Sequence, residues 1–293
     1  MFNLISIQLN GKDNIDENLK NIDKLVYEAC QKNHSLLNGK SKLPPLVVLP
    51  ECASIFGVNS TKMLDAAEVF NKGPVQQQFS AIAKKHSCYL VAGTTPIWFE
   101  QNTQKHKFNA TSLVFSPQGD IISHYSKIHL FDVEVADKTK SYKESKTTIA
   151  GKNLSCFEIQ GVNIAQAVCY DLRFADMFSA YANVNQEKQA PHVIVLPSAF
   201  TKVTGKAHWH ALLKARSIEN QCFVVASNQV GTHSDNRETF GNSCIYSPWG
   251  ECLDVIEDGD GYAIAEYNSD EIHKIRTNMP ISKHKKERYK FES

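Results

Sequence analysis

The chain is 293 residues long, 42% apolar and 22% charged, with 14 glycines and 10 prolines, which fits folded globular structure and excludes disorder, collagen and low-complexity scaffolds. Lys and Arg number 32 against 31 Asp and Glu, a formal net charge of +1, so no global field draws the molecule to nucleic acid or an anionic membrane, and the expected partner is a small molecule. Apolar runs such as residues 46–49 and 193–196 fall far short of the roughly 20 residues that cross a bilayer.

The run Phe2-Asn3-Leu4-Ile5-Ser6-Ile7 carries alternating apolar residues like a strand, with no basic segment ahead of a long apolar one, so no secretion signal is read and the cytoplasm is the expected location. The sequons at Asn59, Asn109 and Asn153 are then expected to stay unmodified. A helix follows, because Leu19, Ile22, Leu25, Val26, Ala29 and Cys30 recur at three-and-four spacing. Next come a buried strand at 46–49, a helix at 75–86, a strand at 89–94, and strands at 110–115 and 121–125 around the turn Ser116-Pro117-Gln118-Gly119.

The second half repeats this grammar. Strands at 156–159 and 162–168 lead to a helix at 174–182, a buried strand at 193–196, a helix at 207–220 and a strand at 222–227. Strands at 243–246 and 252–256 flank Ser247-Pro248-Trp249-Gly250, and a last strand covers 262–267. Residues 183–189 read as a surface insertion, and the basic run 283–288 as a solvated tail rather than a docking patch. Buried strands mixed with hairpins are satisfied when helices cover one face of each sheet and a second sheet covers the other. The expectation is an α/β fold, a four-layer α-β-β-α sandwich with internal pseudo-symmetry, formed by residues 1–293 as a single domain.

Glu51, Lys127 and Cys169 each stand just after an apolar strand, where a rigid sheet can hold side chains at the rim of a pocket. Taken singly, each favours a structural role: a cap or surface acid, an exposed strand-end charge, a small core residue. The eight cysteines contain no C-x-x-C pair and read as reduced thiols. His208 and His210 point to different helix faces, and no G-x-G-x-x-G or Walker pattern occurs, so no metal and no cofactor is expected.

Three segments, Leu49-Pro50-Glu51, the run from Tyr125 through Lys127 to Glu134, and Cys169-Tyr170-Asp171-Leu172-Arg173-Phe174, together resemble the nitrilase superfamily of carbon–nitrogen hydrolases. Leu196-Pro197-Ser198-Ala199-Phe200, Ala207-His208-Trp209 and Pro248-Trp249-Gly250 extend the likeness over nearly the whole chain. The resemblance implies the same sandwich and a Glu-Lys-Cys triad. Cys169 would attack an amide carbonyl, Glu51 would shuttle the proton, and Lys127 would hold the oxyanion together with the Tyr170 N–H. A second glutamate is implied, with Glu144 the better match and Glu134 its competitor. Arg173 is the candidate to grip a substrate carboxylate, unless it pairs with Asp171 or Asp176; Phe200, Thr201 and Asn228 are expected to line the pocket.

Within the superfamily the stretch 218–233 is most similar to the amidases that act on deaminated glutathione, with omega-amidases the alternative and a catalytically silent binding protein the alternative of another class. The likeness also implies a homodimer or larger homo-oligomer. His210 stands where relatives usually carry glutamate, which bears on pocket polarity and substrate choice.

Overall fold

The computed structural model describes residues 2–37, 43–104, 106–183 and 190–284. The insertion beyond residue 183 and the basic run beyond residue 284 lie outside them.

Two sheets share one plan. In the first, the parallel strands Asn3–Gln8, Leu46–Val48 and Tyr89–Val91 are flanked on one side by antiparallel Gly261–Glu266 and on the other by Asn109–Phe115 and then Ile121–Ser126. In the second, parallel Val162–Gln166, Val193–Ser198 and Phe223–Asn228 are flanked by antiparallel Cys156–Ile159 and, opposite, by Cys244–Tyr246 and Cys252–Val255. This repeated strand order is the pseudo-symmetry expected from the two halves. The first sheet borrows its flanking strand from residues 261–266, so both halves of the chain meet within it.

The central strands are apolar at successive positions because both faces are covered. Leu4, Leu46, Val48 and Val91 pack against Phe157, Ile164, Val193, Val195 and Phe223 between the sheets. Alternate residues of the first sheet, Ile5, Val47, Leu49 and Leu90, turn outward onto Ile22, Val26, Ala29, Phe79 and Ile82 of the helices Ile15–Leu37 and Pro74–His86. On the far side Ile194, Leu196, Val224 and Ala226 meet Met177, Phe178, Trp209 and Leu213 of Ala175–Asn183 and Lys202–Asn220. The result is the α-β-β-α sandwich. Near the strand ends small polar residues join the sheets: Ser6 Oγ donates to Ala226 O at 2.9 Å and Ser227 Oγ to Val48 O at 2.8 Å.

Several elements differ from the sequence reading. The helix expected from 207 starts at Lys202, because Thr201 caps it, its Oγ1 accepting from Thr204 N at 3.4 Å. The connections hold the short helix Ser60–Asp65, capped by Asn59, and the hairpin Asp132–Glu134/Ser141–Lys143, whose few residues carry no apolar period. Helix Ser269–Asn278 buries only Ile272 and depends on its Asn268 cap. Asn109 is buried, donating to Ile149 O at 3.0 Å, which leaves that sequon no access to a glycan. No helix among the described residues is long and apolar enough to cross a membrane.

Candidate active site

Glu51, Lys127 and Cys169 converge where the two sheets meet. Glu51 sits in a turn after Leu46–Val48; its N–H bonds to Ser198 O at 3.2 Å and its carbonyl accepts from Gln229 Nε2 at 2.9 Å, so the second sheet holds a residue of the first. The turn is tight: Gly93, at φ +62°, lies so close that a Cβ there would run into the Pro50 carbonyl. Lys127 ends strand Ile121–Ser126, anchored by its N–H to Ala110 O at 2.9 Å. Cys169 opens the 3-10 turn Cys169–Arg173 with φ +48°, a left-handed conformation that costs a non-glycine residue about 1–3 kcal/mol and marks a fixed, presented side chain.

Lys127 Nζ lies 2.7 Å from Glu51 Oε1 and 2.9 Å from Glu144 Oε2, with its side chain only 2% exposed. Glu144 Oε2 also accepts from Phe131 N at 2.7 Å. Glu134 is exposed in its hairpin strand, so of the two candidates it is Glu144 that joins the site. The Cys169 thiol shares the buried site with the Glu51 carboxylate. Burial and the Glu51 charge push that thiol well above its ordinary pKa, against the pull of Lys127, so the resting group is a thiol. Burial works against the Lys127 charge, but Glu144 and Glu51 outweigh it and hold the ammonium well above its usual value. Burial raises Glu144, opposed by Lys127.

Asp171, fully buried, ties two of the loops together. Its carboxylate accepts from Val168 N at 2.9 Å, His129 N at 3.0 Å and Tyr125 Oη at 2.8 Å. The Lys127 loop is thus fastened to the Cys169 turn, and Asp171 is unavailable to Arg173.

The site opens into a cavity of about 260 Å³ lined by Glu51, Lys127, Glu144, Cys169, Tyr170, Arg173, Phe200 and Thr201 among others. The Arg173 guanidinium lies 5.2 Å from the Phe200 ring centre and 3.1 Å from His208 Nδ1, and no carboxylate among the described residues is within ion-pair distance of it. Asn228 does not line the cavity, which corrects the sequence reading. It is fully buried behind the wall, its Oδ1 accepting from Phe200 N at 2.9 Å and its Nδ2 donating to Gly241 O at 2.7 Å. The reason is its place on Phe223–Asn228, a central strand whose end is covered by the following hairpin Val230–Thr232/Glu238–Phe240. His210 also faces elsewhere, toward Tyr246 Oη at 3.0 Å and Asn242 Oδ1 at 3.0 Å.

Cys52, Phe56, Phe131, Tyr142 and Arg237 line the cavity too and were not singled out from sequence. Cys52 follows Glu51 at φ +55°, and burial together with Glu51 pushes its thiol up to about 12. Adjacency to Glu51 was the one available signal for it. The others arrive on connections whose course no local pattern reveals.

A buried thiol on a fixed turn, beside a glutamate that is itself paired with an ammonium, is the chemistry of a cysteine-dependent hydrolase. The chain belongs to the carbon–nitrogen hydrolase family, which it matches over residues 5–277, and so to the nitrilase superfamily. It is 33% identical over 282 residues to the deaminated glutathione amidase of Yersinia enterocolitica, covering 96% of this chain and 92% of that protein. It is 31% identical to an omega-amidase of Danio rerio, covering 97% and 95%. A nitrilase-superfamily structure from Saccharomyces cerevisiae superposes with a TM-score of 0.79 over 95% of this chain and 94% of that one; at 24% identity it speaks for the fold.

Proposed function

We propose that this enzyme hydrolyses the amide of deaminated glutathione to 2-oxoglutarate and cysteinylglycine through a thioester on Cys169. The observation that carries the substrate reading is Arg173, a guanidinium in the pocket with no carboxylate partner among the described residues, four positions past the nucleophile. A 2-oxo acid end supplies that partner through two parallel hydrogen bonds.

The chemistry follows from the site. Glu51 takes the Cys169 proton as the sulfur attacks the carbonyl carbon, and the oxyanion forms beside the Lys127 ammonium and the Tyr170 N–H in the first position after the nucleophile. Glu51 then returns the proton to the departing amine, leaving a thioester. A water molecule gives a proton to Glu51 and attacks the thioester, and the leaving thiolate takes the proton back. Glu144 is a positioning residue that keeps Lys127 charged and in place. Three side chains and water balance every step, so no cofactor is needed.

The similarity to deaminated glutathione amidases supports the substrate; the similarity to omega-amidases supports 2-oxoglutaramate as the second reading. We further propose that residues 1–293 act as one domain and that the protein works in the cytoplasm as a homodimer, for which the exposed Trp249 and Ile218 offer apolar surface. Light scattering would report the mass.

The deciding experiment supplies purified protein with deaminated glutathione, 2-oxoglutaramate, a simple amide and a nitrile, with Cys169→Ala as control and intact-mass detection of the acyl adduct. Turnover of deaminated glutathione with an adduct on Cys169 supports the reading. A preference for 2-oxoglutaramate sinks the substrate assignment, and no turnover with no adduct sinks the amidase mechanism.

A further inference from the structure

Besides Arg173 the cavity carries a second guanidinium. Arg237 stands on the hairpin Val230–Thr232/Glu238–Phe240, held 5.1 Å from the Phe56 ring centre and 5.3 Å from that of Tyr142. Asp235 takes one of its terminal nitrogens at 3.1 Å, while its Nε is buried with no hydrogen-bond partner among the described residues. A guanidinium has five N–H donors, so one acid leaves capacity for another, and a buried donor without an acceptor is costly until one arrives.

The two arginines stand at the ends of one aromatic wall. Arg173 is 5.8 Å from the Tyr170 centroid, Tyr170 and Phe131 are 5.1 Å apart, Phe131 and Tyr142 are 5.1 Å apart, and Tyr142 meets Arg237. The middle of this wall is fastened to the reacting groups: Tyr170 follows Cys169 in the chain, and the Phe131 N–H bonds to the Glu144 carboxylate that holds Lys127. The reacting groups are thus tied to the stretch of wall between the two cations.

We infer that Arg237 is a specificity residue that binds an anion on the leaving-group side of the scissile bond, so that the site is built for linear amides carrying a carboxylate on each side of it. This rests on the amidase reading and deepens it. Deaminated glutathione has that form, a 2-oxo acid on the acyl side and a glycine carboxylate on the amine side. 2-Oxoglutaramate has only the first, because its leaving group is ammonia.

Both substrates give the same thioester, which makes the test internal. Arg237→Gln keeps the planar stem against Phe56 and Tyr142 and removes the charge. It is expected to lower kcat/KM for deaminated glutathione by about 10- to 100-fold, the effect of one charge-assisted contact, and to leave 2-oxoglutaramate within about twofold. Arg237→Lys is expected to recover part of the loss. The unmodified enzyme gives an independent measure: the C-terminal glycine amide of deaminated glutathione should lose as much as the variant does, and the variant should no longer distinguish acid from amide. Equal losses on both substrates would mean that Arg237 only shapes the wall, and wild-type indifference to the C-terminal charge overturns the inference even if the variants fail to fold. Inactivity of the wild type on every substrate instead defeats the amidase reading on which the subsite depends.

Discussion

Two carboxylates and one ammonium are buried together in the candidate active site, and this excess negative charge bears on how the site titrates. Burial raises Glu144, with Lys127 opposing. A carboxyl whose pKa is raised by folding costs stability above that pKa, and the cost is relieved as pH falls through it. Protonation would also loosen its hold on Lys127. The acid limb of kcat/KM is therefore expected above the ~4.3 of a free glutamate and to shift in Glu144→Gln; a pH–rate profile identical in the two proteins would remove Glu144 from that limb. Gln retains an acceptor for Phe131 N and Lys127 while the excess charge disappears. The variant should lose roughly 10²-fold in kcat yet melt no lower than the wild type, as calorimetry would report.

Strand ends and the loops beyond them decide which residues reach the substrate. Asn228 shows the distinction: it stands at the end of a central strand like the residues of the site, yet the next hairpin covers it and turns its amide into a brace between Phe200 N and Gly241 O. Asn228→Ala strands both groups and is expected to cost about 2–5 kcal/mol in a denaturant melt. An unchanged melt with a raised KM would return Asn228 to the pocket. Gly93→Ala is expected to destabilise more than an ordinary surface change, since its Cβ must displace the Glu51 turn at Pro50, and activity should fall with it.

The whole molecule contains eight cysteines, all free, and the fold gives them different fates. Cys156 and Cys252 are exposed, but burial around the Cys156 sulfur pushes its thiol up to about 11, while a hydrogen bond from Cys244 brings Cys252 down to about 7. Iodoacetamide near neutral pH is therefore expected to label Cys252 well before Cys156, with Cys30, Cys88, Cys222 and Cys244 protected until unfolding. Peptide mass spectrometry checks the order. Activity should survive the first label and fall only with Cys169; loss in step with Cys252 would contradict the site as drawn.

Patterns that depend on neighbours along the chain were readable in the sequence. Strands such as Val193–Ser198 open on an unbroken apolar run because both faces are covered, and helices show their stripe, so sandwich and layers could be set out in advance, while the likeness of three segments to the nitrilase superfamily singled out Glu51, Lys127 and Cys169. The second glutamate stayed open between Glu134 and Glu144 until the hairpin's strand exposed one and its end turned the other onto Lys127. Cys52, the burial of Asn228 and the wall running from Arg173 to Arg237 depended wholly on tertiary structure. These features join segments far apart in the chain, through contacts that leave no period and no spacing in the sequence. Only the stacked sheets, with their loops folded over one end, bring them within reach of one another.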